Sequence, residues 1–247
     1  PALDLVVGRQ HVRVAAPREG ARGHVGVGYP GGIGLLTVLN DAGVFAAIHD
    51  VHTSPGMQDL AEKNVPRLLA IRRLAETLSA SRAVEEATKA CRGWNTLYGN
   101  NFLVATPQPG EGVHAGVLEY DTRTADDQGV DLRTAATKDE HVLCTNHHLV
   151  RGRGECWRYD LLTGACRDDD PAPVTVKELF QLATRISFPK DGEAIASGGL
   201  GTLHQVVAET THRRLHVRMA RVGTHIRDAK VVTFDVATEL DGLGQGD

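Results

Sequence analysis

The stretch His141-Val142-Leu143-Cys144-Thr145-Asn146-His147-His148-Leu149 is the place from which this chain is read outward. An apolar, β-prone entry stops abruptly at Thr-Asn-His-His, a cluster of hydrogen-bonding groups with no charge pair to neutralise it. Strand ends that present several polar side chains together are common building places for sites. The plainer reading, a strand closing in a polar turn, stands beside it. Seven residues beyond Leu149 comes Cys156-Trp157-Arg158-Tyr159, a guanidinium between two aromatics. An Asn amide near an Arg fork suits a carbonyl group and the negative charge that develops on it.

At 247 residues the chain is long enough for one sizeable core. Apolar residues make up 41% and charged residues 23%, and the net charge is −4. A chain so composed is an ordinary globular one, and with no dominant basic stripe it is not expected to bind nucleic acid. No apolar run approaches the ~18 residues that a membrane span needs. A soluble protein is expected, with the cytoplasm slightly favoured. The four cysteines, Cys91, Cys144, Cys156 and Cys166, form no Cys-x-x-Cys pair. That argues against structural zinc and for buried thiols, although Cys156 and Cys166 could close a small loop in an oxidising compartment.

Going outward, Val12–Val14 and His24–Gly28 alternate as two strands of a hairpin around Pro17-Arg18-Glu19-Gly20. Tyr29-Pro30-Gly31-Gly32-Ile33-Gly34 is a glycine-dense turn. It lacks both the Gly-Lys-Ser/Thr of a phosphate loop and the spacing of a dinucleotide fingerprint, so its glycines read as close backbone approach or positive φ. Leu35–Leu39 and Val44–Ile48, joined by Asn40-Asp41-Ala42-Gly43, read as antiparallel strands. There Asn40 is either a turn residue or a side chain aimed into a site. A helix is expected from an N-cap at Asn64, with Pro66 in its first turn, and a second from Ser81 to Gly93.

The second half reads as strands at Asn101–Thr106, Val113–Tyr120, Leu132–Ala136 and His141–Cys144. Residues 122–129 and 164–173 read as exposed loops, and the latter's Asp168-Asp169-Asp170 lacks the spaced ligands of a calcium loop. A helix capped by Thr175 and running to Ile186 comes next. Strands at Leu203–Glu209, Leu215–Ala220 and Val231–Val236 then close the chain before a glycine-rich tail. This order fits a layered α/β (α+β) protein built on antiparallel sheets.

Several of these stretches together resemble one family. The chain is similar to the penicillin acyltransferase-like (acyl-CoA:6-aminopenicillanic acid acyltransferase) branch of the N-terminal-nucleophile hydrolases, related to bile salt hydrolases and acid ceramidase. The pieces that carry the resemblance are Tyr29–Gly34, Leu39–Val44, Ser81–Ala87, Cys144–His147, Cys156–Tyr159 and Thr202–Val207, in the family's order over about residues 12 to 236. The resemblance implies a single four-layer αββα sandwich, Ntn-hydrolase-like, over 1–247. It also implies hydrolysis or acyl transfer at a non-peptide, linear amide C–N bond through an acyl-enzyme. Its nucleophile is an N-terminal Cys freed by autoproteolysis, whose own α-amino group is the base.

The same resemblance assigns Asn146 to the oxyanion site and Asn40 to the Asn of an Asn-Glu-x-Gly-like turn, with Asp41 standing where the family has Glu. Arg158 falls on an Arg that positions or polarises the reacting centre, although Cys156 stands where relatives often have Ser. Asp4 falls on the Asp of the Arg-Asn-x-Asp-Trp signature, within flanks that differ. The implied partner is a small-molecule amide or acyl donor, with no cofactor and no metal, and a homo-oligomer is compatible with it.

In that family the nucleophilic Cys lies shortly before the Asp motif, hence before Pro1, and this chain has no Cys until Cys91. The expectation is a domain truncated at its N-terminus and inactive alone; the alternative is a catalytically dead acyl- or amide-binding homologue. Two other enzymatic readings stay open. Cys144 could serve as a nucleophile near His147 and His148, or His49, Asp50, His52, His147 and His148 could supply a metal hydrolase without a His-Glu-x-x-His helix. Pro1 as the base of a tautomerase finds no support downstream.

Overall fold

The computed structural model describes residues 10–51, 64–96, 98–107, 114–121, 129–134, 141–152, 156–166, 174–187, 201–221 and 223–243. Of the loops expected at 122–129 and 164–173, residues 122–128 and 167–173 with the three aspartates lie outside these residues, as do Asp4 and His52.

Seven strands form the first sheet: β1 (His11–Ala15), β2 (His24–Gly28), β3 (Thr37–Asn40), β4 (Phe45–Asp50), β5 (Asn100–Ala105), β6 (Ala115–Tyr120) and β7 (Val130–Thr134). They lie in sequence order and every neighbouring pair is antiparallel. Between β4 and β5 run α1 (Arg67–Thr77) and α2 (Ala83–Gly93). After β7 come α3 (Trp157–Ala165) and α4 (Val176–Arg185). The second sheet follows, with β8 (His204–Glu209), β9 (Arg214–Met219) and β10 (Val232–Asp235) in the order β10-β9-β8, and α5 (Val236–Leu243) ends the described chain.

Strand alternation separates two cores. Val38, Ala46, Phe102, Val104, Leu118 and Tyr120 point to one side of the first sheet and pack on Ala70, Ile71 and Leu74 of α1 and Val84, Ala87 and Cys91 of α2. Val25, Val27, Leu39 and Phe45 belong to the other side, where Leu215, Val217, Val206 and Ala208 of the second sheet meet them. The outer face of the second sheet carries α4. The Arg218 guanidinium, stacked over the Phe180 ring, donates to Gln205 Oε1 at 2.7 Å, to the Phe180 carbonyl at 2.9 Å and to the Thr184 hydroxyl. Helix, sheet, sheet and helix therefore stack as the expected αββα sandwich.

Local chemistry sets most boundaries. Thr175 caps α4 in a full capping box with Glu178. Gly34 lets the glycine-dense turn run against α1, since a Cβ there would lie 2.5 Å from Leu68 Cβ. Gly43 holds φ +81 in the β3–β4 turn, a conformation that disfavours other residues.

Four expectations are corrected. Asn64 is no N-cap: it forms a parallel bridge with Asn95, and α1 starts after Pro66 with no side-chain cap. Residues 141–144 are not a strand; the chain just beyond them is held by side chains of the first sheet. Residues 157–165 are the helix α3, where in the sequence 157–159 read only as part of a polar–aromatic motif and 164–165 as the start of a loop. The segment after Val236 is a further helix, α5, whose Leu240 joins the inter-sheet core.

Candidate active site

The inter-sheet face of the first sheet turns polar at one end. The register places His49, Asn101, Glu119 and Asp131 side by side on β4, β5, β6 and β7. One strand pair back, the same face carries Ala47, Leu103 and Val117. A row of polar side chains at the end of an apolar sheet must find partners when buried, and most of this row finds them in the segment 145–151.

Asn101, fully buried, donates its amide to the carbonyls of Thr145 and His147, both at 2.8 Å. The Glu119 carboxylate, also without exposure, accepts from the backbone N–H groups of Leu149 and Val150 at 2.8 Å and of Arg151 at 3.3 Å. Arg133 Nε closes the same carboxylate at 2.7 Å, and Asp131 meets Arg151 Nε at 2.8 Å. Burial alone would raise the Glu119 pKa, but these donors outweigh it and hold the carboxyl below its usual range. The segment is thus laid across the sheet by alternate donors and acceptors, and Asn146 sits inside it.

Asn146 is held from both ends of its amide. Arg158, in the first turn of α3, donates to Asn146 Oδ1 at 2.9 Å, and Asn146 Nδ2 donates to the Asp50 carbonyl at 2.8 Å. An amide nitrogen carries two N–H groups, so one of them is left for a ligand carbonyl. The Arg158 guanidinium lies 5.6 Å from the exposed Trp157 ring, and the Asp50 carboxylate pairs with Arg67 at 3.2 Å. Beside Asn146, the Thr145 hydroxyl is 2.7 Å from His147 Nδ1 and 3.3 Å from Cys156 Sγ, and His147 meets the Tyr159 ring edge-on.

Two histidines lie within electrostatic reach of one another here, His49 on β4 and His204 at the start of β8. Burial lowers the His204 pKa to about 4, with the neighbouring His49 adding to the effect. Burial lowers that of His49 too; Asp50 opposes the shift and Arg158 assists it. Both rings are therefore neutral at pH 7. Tyr29, from the glycine-dense turn, is within electrostatic reach of Asp50 and Arg67, and burial raises its pKa.

Of the residues expected at a site, Asn146 and Arg158 are brought into direct contact. Asn40 is not brought to them. It lies at the start of the hairpin, about 17 Å along β4 from Asp50 at ~3.3 Å per residue. There its amide donates to the Ala75 and Leu78 carbonyls at the end of α1, both at 3.0 Å, and its oxygen accepts from the Ala42 and Val44 N–H groups. Asp4 lies outside the described residues. Cys144 is half-buried and its thiol pKa is pushed up to about 12 by burial, partly offset by Arg133. That opposes a thiolate nucleophile at this position. Among the described residues no group of three or more His, Cys, Asp or Glu side chains is placed to hold a metal ion, and no helix is long and apolar enough to cross a membrane.

Sequence reading missed Asn101, Glu119 and His204, and took His49 only as a possible metal ligand. Their signal was present, as one polar residue at the same end of each apolar strand, but it becomes visible only when the register aligns them.

No family model matches the chain, and no curated protein sequence matches it. Solved structures do. A variant of conjugated bile acid hydrolase from Clostridium perfringens superposes with a TM-score of 0.60 at 11% identity, over 95% of this chain and 88% of that one. Penicillin V acylase from Agrobacterium tumefaciens gives 0.61 at 12% identity, over 94% and 80%. The Caenorhabditis elegans orthologue of N-acylethanolamine-hydrolyzing acid amidase gives 0.50 at 11%, over 92% and 94%. The likeness to these N-terminal-nucleophile hydrolases is one of fold: the αββα sandwich of two antiparallel sheets is theirs as well as this chain's.

Proposed function

We propose that this chain is the αββα domain of an amide C–N hydrolase or acyltransferase acting on small linear amides. The observation that carries the reading is the Asn146 amide, oriented by Arg158 and the Asp50 carbonyl so that one N–H remains to polarise a substrate carbonyl. Donors fixed before the reaction act where charge develops on the carbonyl oxygen, at no cost of reorganisation. His49, within electrostatic reach of Arg158, has its pKa lowered by burial and is neutral at pH 7, adding no positive charge of its own there.

The nucleophile in this proposal is an N-terminal cysteine ahead of Pro1, freed by self-cleavage, whose thiol adds to the carbonyl while its α-amino group takes the proton. The amine departs protonated, and water or a second amine resolves the acyl-enzyme. The structures resembled carry amide-cleaving names, bile acid hydrolase, penicillin V acylase and acid amidase, and this supports the choice of bond. The test is to express the natural reading frame, determine the N-terminal residue and mass of the mature chain, and assay a panel of N-acyl amides. A mature chain opening on Cys, with hydrolysis reduced ~100-fold or more by Asn146→Ala, is the expected result. A mature chain with no such Cys would refute the mechanism and leave an acyl-binding homologue.

A further inference from the structure

Asn146 stands at a bend, and one side chain holds both sides of it. Thr145 and His147 form an isolated antiparallel bridge, with the exposed Asn146 between them. From β5, the buried Asn101 amide donates to the carbonyls on either side of Asn146, those of Thr145 and His147, at 2.8 Å each. Two oxygens bound to one nitrogen lie at most twice that distance apart. Same-side carbonyls two residues apart on an extended strand are ~6.6 Å apart. The double hydrogen bond therefore exists only while the chain is bent at Asn146.

The same contacts fix which way the Asn101 amide points. Turned over, its oxygen would face two carbonyl oxygens, so both of its N–H groups are committed to the bend. Its Oδ1 is left buried, with no partner among the described residues. A buried acceptor without a donor opposes folding. An apolar side chain here would avoid that penalty, at the loss of both N–H groups. The rest of the segment has separate anchors. Glu119 takes the N–H groups of Leu149, Val150 and Arg151, and His148 Nε2 lies 3.2 Å from the Asn100 carbonyl. What Asn101 adds to these anchors is the bend.

We infer that Asn101 is a positioning residue for the proposed amide reaction. It holds the bend that aims the Asn146 amide, and with it the spare N–H, at the substrate carbonyl. The bend also brings Asn146 Oδ1 to Arg158 and Asn146 Nδ2 to the Asp50 carbonyl. A chain relaxed toward the extended form shifts that amide off both. A misplacement on the order of 1 Å costs ~100-fold in rate when the displaced group orients the reaction. The inference rests on the role proposed for Asn146, so its test reads the amide itself as well as the reaction.

The natural reading frame is expressed as wild type, Asn101→Leu and Asn101→Thr. Leu matches the amide in size without its donors. Thr is β-branched and suits a strand, and it carries the test if the Leu variant does not fold. One readout is the NMR signals of the Asn146 side-chain amide and their contacts with Asp50. The other is kcat and KM for an N-acyl amide that the wild type hydrolyses. In the variants the Asn146 signals are expected to move and lose their contacts with Asp50. With them kcat should fall ~30- to 100-fold, while KM stays within a factor of ~3. Unmoved Asn146 signals, with or without a lower kcat, would overturn the inference, as would a raised KM at unchanged kcat. A wild type without amide turnover would instead count against the proposed function. The Asn146 signals then decide the positioning role alone, supporting it if they move in the variants and overturning it if they do not.

Discussion

Glu119 is the side chain on which the site's geometry depends most, and Glu119→Gln tests this with a change of one atom. Oε1 receives Arg133 Nε and the Leu149 N–H, while Oε2 receives the N–H groups of Val150 at 2.8 Å and Arg151 at 3.3 Å. A glutamine can keep the first pair on its carbonyl oxygen, but its NH₂ then confronts two backbone donors. Each buried donor left unmet costs about 1–3 kcal/mol, and the longer Arg151 contact counts for less, so a loss of about 2–4 kcal/mol is expected. The sign with pH follows from the lowered folded pKa of Glu119. Its contribution is complete above the unfolded value, ~4.3, and disappears as pH falls through the lower folded value. Denaturant unfolding of wild type and Glu119→Gln should therefore show the full gap at pH 7 and a closing gap below about pH 4. Since the same bonds fix residues 149–151 beside Asn146, the proposed amide turnover should fall as well, at temperatures where the variant is still folded. A variant as stable as wild type at pH 7, or a gap indifferent to pH, would refute the reasoning.

Three further predictions concern groups around this frame. Asn40→Ala removes four hydrogen bonds from a fully buried amide and should cost about 2–4 kcal/mol, with kcat and KM of the proposed amide reaction unchanged in the folded protein; a selective kinetic defect would return Asn40 to the site. His204, with its pKa lowered to about 4, should show constant ring resonances by NMR from pH 7 to 5 and titrate near 4. Because the unfolded ring takes its proton at about 6.5, stability should decline between those values on acidification, and His204→Phe should flatten part of that decline. Cys144, pushed up to about 12, should resist iodoacetamide in the native protein at pH 8 and react once denatured, as peptide mapping would show.

Legibility divides along the reach of the forces involved. The β2, β3–β4, β8 and β9 strands and the helix cap at Thr175 rest on alternation, capping and turn chemistry within a dozen residues, and reading the sequence located them within a residue or two. The contact of Asn146 with Arg158 was foreseeable because both stand in short, unusual polar–aromatic stretches close together. His141–Cys144 misled because its residues are β-prone while the chain beyond them binds to side chains distant in sequence. The Asn101 amide and Glu119 carboxylate take backbone positions that another strand would otherwise fill, across 44 and 30 residues. A carboxylate or carboxamide in the middle of the chain gives no local sign that it will serve as backbone for another segment. That substitution also explains why the site stands at this end of the sheet. A ladder built from side chains can leave residue 146 pointing at solvent with its amide oriented, whereas a true strand would commit the same residue to a neighbour. The exposed, doubly held Asn146 is thus a product of the buried polar row beneath it, and a search of similar folds for new sites should begin with such rows rather than with the exposed residue.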